Sequence, residues 1–131
     1  AEHGIEPLSL NLDQFWDADD AIECVVEAIK AGADSFLIRN GDTQVVLAGI
    51  DKAGKNVPEQ VQVLAEAEGT IEALTVPPVT TISLLGSESG RIVAQEVLHQ
   101  MREPKSVNTS RPRSLRLPHK LTVRQSTRRA K

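Results

Sequence analysis

Gly86-Ser87-Glu88-Ser89-Gly90-Arg91 is the one stretch of this chain whose residue types offer a route to ligand chemistry. Glycines and serines ahead of a helix leave backbone N–H groups free to converge on an anion, the helix dipole adds positive potential, and an arginine supplies a full charge. Gly86, Ser87, Ser89, Gly90 and Arg91 are therefore candidate anion-binding residues. Glu88 opposes an anion there, and the Lys-Ser or Lys-Thr ending of a phosphate-binding loop is absent. The alternative is an ordinary Ser/Gly loop that starts a helix.

Other reactive side chains are dispersed. His3, His99 and His119 are far apart, and neither Cys24 nor a carboxylate pair stands near them at metal-ligand spacing. Asp13, Asp17, Asp19 and Asp20 lack the spacing, the glycine and the closing glutamate of an EF-hand, and they suit the start of a helix instead. No G-x-S-x-G elbow occurs. The expectation is a non-enzymatic protein with no catalytic residue, no metal and no cofactor.

Charge divides the chain more sharply than its net −3 implies. Residues 1–103 hold all 18 acidic residues and six basic ones, a balance of −12, whereas residues 104–131 hold nine basic residues and no acid. The nine are Lys105, Arg111, Arg113, Arg116, Lys120, Arg124, Arg128, Arg129 and Lys131, candidates to contact nucleic acid or another anionic partner through counterion release. No aromatic residue interleaves them, so base stacking is not available and such binding would be blind to sequence. Folding of this segment back over the acidic domain, or no role, are the alternatives.

These groups need elements to position them. Ala18, Ala21, Ile22, Val25, Val26 and Ile29 recur at helical spacing from about Asp17 to Ala31, with Gly32 placed for a left-handed cap. Ser35 to Arg39, Asn40-Gly41 and Thr43 to Ile50 read as a β-hairpin with a tight turn. Pro58 and the face of Val57, Val61, Leu64 and Ala65 predict a short helix ending at Gly69. Thr70 to Val76 and Val79 to Leu85 read as strands broken by Pro77-Pro78, and Leu8 to Leu12 as one more strand. Arg91 to Arg102 places Val93, Ala94, Val97, Leu98 and Met101 on one helical face before Pro104.

The fold class expected is therefore α+β, a small antiparallel sheet of hairpins with about three helices over residues 1–103, followed by a disordered basic tail over residues 104–131. The core is poor in aromatics, with only Phe15, Trp16 and Phe36, which favours self-association. The single Cys24 excludes an intramolecular disulfide, and no apolar run reaches the about eighteen residues of a membrane span. The expectation is a cytoplasmic protein that makes no membrane contact. Absence of an initiator Met before Ala1 points to a removed segment.

From Trp16 to Ile50, about a quarter of the chain, the sequence resembles the N-terminal module of Phd/YefM-type antitoxins. The matching stretches are Ala21-Ile22-Glu23-Cys24-Val25-Val26-Glu27-Ala28-Ile29-Lys30-Ala31-Gly32, Phe36-Leu37-Ile38-Arg39-Asn40-Gly41 and Gln44-Val45-Val46-Leu47-Ala48. The resemblance implies dimerisation through this module, operator DNA binding and a toxin-like protein partner. Here the helix is acidic, a further β, β, α portion follows and the extension is basic, which departs from that family. The reading that follows is an antitoxin-like regulatory or interaction module that self-associates and uses its basic tail for an anionic partner. The alternative is a structural component of a phage particle or ribonucleoprotein with the tail as an anchoring arm. A small enzyme built on Gly86 to Arg91 is third.

Overall fold

A computed structural model describes residues 7–12, 17–39, 42–102 and 114–128. Its elements are α1 (Ala18–Lys30), β1 (Ser35–Ile38), α2 (Thr43–Lys52), β2 (Gln62–Glu66), β3 (Thr80–Ser83), α3 (Gly86–Arg102) and β4 (Lys120–Thr122). The strands form one sheet in the order β1-β2-β3-β4. The first three run parallel and β4 closes the edge antiparallel to β3.

Helix α1 forms where the periodicity predicts. Asp17 caps it by accepting a hydrogen bond from the Asp19 N–H at 2.9 Å, Asp19 and Asp20 occupy the positive end of the dipole, and Gly32 adopts φ +106° just beyond it. The expected hairpin does not form. β1 is one of its arms, but the other arm is α2, because Thr43, Val46, Gly49 and Ile50 fall on one buried helical stripe. Packing of that stripe against α1 outweighs the β-propensity of its valines. Asn40 and Gly41 lie outside the described residues.

The short helix expected from Pro58 to Gly69 is also corrected. Val61, Val63 and Ala65 are buried at every second position, a strand period, while the Val61, Leu64 and Ala65 spacing that imitates a helix leaves Leu64 only half-buried. A 13-residue turn-rich crossover then occupies positions 67–79 where a strand over Thr70 to Val76 was expected. Such a length suits a parallel connection. Leu8 to Leu12 joins no strand, whereas β3 falls inside the strand expected from Val79 to Leu85. The sheet is therefore rich in parallel pairs and the class is α/β; there are three helices among the described residues, but the second is Thr43–Lys52 rather than Pro58 to Gly69, and no antiparallel hairpin forms among those residues.

Phe36 pairs with Val63 and Ile38 with Ala65 across β1 and β2, so their side chains share a face. There they join Val25 and Ile29 of α1, Val46 and Ile50 of α2, Val61 and Val79 in one aliphatic core. The helix layer comes close where Gly49 meets α1: a Cβ at Gly49 would lie 2.6 Å from Val25 Cβ.

The disorder expected from residue 104 onward is corrected for residues 114–128, which carry β4 and a set of buried hydrogen bonds. Ser126 is fully buried, donates through Oγ to the Val63 carbonyl at 2.6 Å and accepts from the Thr80 N–H at 2.8 Å. The Arg124 guanidinium donates to the Val79 carbonyl, Thr81 Oγ1 and the Gly69 carbonyl. A polar composition concealed this because the segment contributes hydrogen bonds to the core rather than apolar surface.

Candidate functional site at the carboxyl ends of the strands

Parallel pairing brings the carboxyl ends of β1, β2 and β3 to one edge of the sheet, where open α/β folds receive ligands. Arg39 follows the last residue of β1 and donates through Nε to Glu66 Oε2 at 3.0 Å, at the end of β2. Two residues further on, Glu68 accepts from the Ser83 hydroxyl at 3.0 Å with one carboxylate oxygen and from the Gly86 N–H at 3.2 Å with the other. Ser83 Oγ in turn accepts from the Leu85 N–H. Glu66, Ala67, Glu68 and Leu84 line an open depression of about 210 Å³.

Leu85 sits between β3 and α3 with φ +50°, the only non-glycine among the described residues in the left-handed region. A leucine there stores strain that the surrounding hydrogen bonds must hold. Its carbonyl accepts from the Ser89 N–H, and the Ser89 hydroxyl donates to the Leu84 carbonyl. The rim thus carries polar groups from three strand ends.

All five expected anion-binding residues, Gly86, Ser87, Ser89, Gly90 and Arg91, lie within the first turns of α3, which begins five residues earlier than its periodicity indicates. Negative charge at this helix end comes from the chain's own Glu68, which accepts from the Gly86 N–H, and from Glu88 in the first turn. Arg91 is paired with Glu88 and also donates to Gln95. The hydrogen bond from Arg91 to Glu88 holds the Glu88 carboxyl below its ordinary range and the Arg91 guanidinium above its own.

Of the nine basic residues of the C-terminal segment, Lys105, Arg111, Arg113, Arg129 and Lys131 lie outside the described residues. Arg116 and Lys120 are exposed. Arg124 is used internally, and Arg128 donates to Gln62 and to the Pro58 carbonyl through its backbone and side chain respectively. Among the described residues no three His, Cys, Asp or Glu side chains are placed to share a metal ion, and no helix is long and apolar enough to cross a membrane.

Arg39, Glu66, Glu68 and Ser83 escaped the sequence reading. They sit 27 and 15 residues from their partners, and only a parallel register brings them together. A charged or hydroxyl residue at the end of each β-prone run was the available signal.

Residues 5–127 match the family of periplasmic binding protein-like domains, and the chain belongs to that family. Among solved structures it is similar to a putative LacI-family transcriptional regulator from Sanguibacter keddieii, 20% identical with a TM-score of 0.66, over 91% of this chain and 47% of that one. A LacI-family regulator from Arthrobacter sp. FB24, solved as a complex with lactose, is 25% identical with a TM-score of 0.64, over 86% and 42%. The transcription regulator CcpA of Lactococcus lactis is 20% identical with a TM-score of 0.65, over 87% and 41%. The chain thus spans less than half the length of these proteins. No curated protein matches it.

This family replaces the antitoxin resemblance. Here the first helix is followed by β1 of a parallel sheet and then by α2, not by a hairpin. The readings as an antitoxin or as a structural component of a phage particle or ribonucleoprotein fall with it, and so does a toxin-like partner. The three solved proteins named above are transcription regulators.

Proposed function

We propose that this chain is part of the ligand-sensing domain of a LacI-type transcription regulator and that its share of the sensing site is the rim at the carboxyl ends of β1, β2 and β3. The convergence of Arg39, Glu66, Glu68 and Ser83 on that edge carries the reading. Paired donors and acceptors of this kind suit a small polar ligand rich in hydroxyls, which accepts from a guanidinium and donates to carboxylates in one plane. Solved relatives holding lactose and ribose support the class of ligand. The strained Leu85 junction couples the rim to α3, so a ligand that reorders Glu68 acts on the start of that helix.

DNA contact and oligomerisation belong to the same proposal, as does a place in the cytoplasm. For the C-terminal segment, the described residues left to meet an anionic partner are Arg116 and Lys120. The direct test is calorimetric titration of the chain with a panel of mono- and disaccharides, including ribose and lactose, alongside the Arg39→Ala and Glu66→Ala variants. Binding that both substitutions weaken about tenfold, the loss of one or two charge-assisted hydrogen bonds, is expected. Binding that neither variant alters contradicts the assignment.

A further inference from the structure

An open cavity of about 560 Å³ lies at the opposite end of the sheet from this rim, where α1 and α2 finish before β1 and β2 begin. It is lined by Val26, Ile29 and Ala53 together with Glu23, Lys30, Lys52 and Lys55. These are the only lysines in residues 1–103, a region with 18 acidic residues. In a domain so acidic, all three converge on one cavity.

Lys30 and Lys52 stand in the last turns of α1 and α2, where the helix dipoles favour cations. Each is also engaged by a carboxylate: Glu27 lies 2.7 Å from Lys30 Nζ and Glu23 lies 2.6 Å from Lys52 Nζ. Lys55 is beyond the end of α2, has no ion pair among the described residues and is explained by neither helix end. The two existing pairs are about half exposed or more, and exposed pairs are weakly held and readily exchanged.

We propose that this cavity is a second ligand site, for an organic anion with a phosphate or carboxylate head and a compact apolar body. The head lies between Lys52 and Lys55, displacing Glu23 from Lys52, and the body rests on Ala53 and the edges of Val26 and Ile29 that line the cavity. Glu23 holds the place of the anion when the site is free. Hydrogen bonding to Lys52 keeps the Glu23 carboxyl below its ordinary range and the Lys52 ammonium above its own, so both are charged at neutral pH and the exchange is one anion for another.

The test is amide chemical-shift mapping of the chain titrated with phenyl phosphate, with inorganic phosphate as the comparison, repeated for Lys55→Gln and Glu23→Gln. Expected are shifts confined to positions 23–30 and 52–55, tighter binding of phenyl phosphate than of phosphate, about fivefold weaker binding in Lys55→Gln and about threefold tighter binding in Glu23→Gln, each within the range of a single exposed charge pair. The substituted side chains lie on the surface, and unchanged amide dispersion elsewhere verifies that each variant is folded. Glu23→Gln separates the proposal from a purely structural role, since loss of a helix-to-helix ion pair would not strengthen anion binding. Shifts that centre on the start of α3 or on Arg116 and Lys120, no shifts at all, or an unchanged affinity in Glu23→Gln would each overturn it.

Discussion

Single atoms decide two features of this fold. At Gly49 the two helices approach so closely that any side chain meets Val25, at a distance real Cβ atoms do not tolerate. Gly49→Ala is expected to push α1 and α2 apart at a cost of about 1–3 kcal/mol, the range for overpacking a filled core, measured as a lower urea midpoint at unchanged slope. Ser126 links two strands through one hydroxyl, and its removal leaves the Val63 carbonyl and the Thr80 N–H in a dry interior with a partner lost. Ser126→Ala is expected to destabilise by about 1–3 kcal/mol. A variant as stable as the parent would show that those groups find other partners.

At the scale of elements, the segment that composition marks as a tail is a component of the sheet. A chain ended after Arg113 loses β4, Arg124 and Ser126 together, and it is expected to lose its cooperative unfolding transition by near-ultraviolet circular dichroism. Retention of the parent's transition would return residues 114–128 to the status of an appendage. The legibility of the elements follows the same logic. Helix α1 was readable because its stripe, its Asp17 cap and its Gly32 terminus agree with one another. α2 was not, because Val45, Val46 and Ile50 favour strands locally and become helical only against Val25. β2 was misread because Val61, Leu64 and Ala65 satisfy a helical spacing while Val61, Val63 and Ala65 satisfy the alternation that burial selects. The rim of Arg39, Glu66, Glu68 and Ser83 depended on both errors: a hairpin and a helix would send those residues to unrelated places, and the parallel register sends them to one edge.

Across the whole molecule the apolar stripe of α3 is the feature that sequence located and structure turned around. Val93, Val97, Leu98 and Met101 are 46 to 76% exposed, and the less exposed side of the helix carries Ser89, Ile92 and Glu96. Ile71, Leu74 and Val76 add exposed apolar surface on the crossover before β3. Surfaces of this kind are sites of association. The chain is therefore expected to self-associate at tens of micromolar (a range of the order where weak oligomers persist), and Leu98→Glu to shift it toward monomer by light scattering. A parent chain that is monomeric throughout would remove the role of this face in self-association.

The central claim is that the carboxyl ends of the parallel strands form the sensing rim, and amide chemical-shift mapping with the sugar that binds most tightly in the panel tests it most directly. The account predicts perturbations centred on Arg39, Glu66 to Glu68 and Ser83 to Gly86, with α1 and the end of α2 unmoved. Perturbations centred on the α1 and α2 ends, with the strand ends silent, would contradict it.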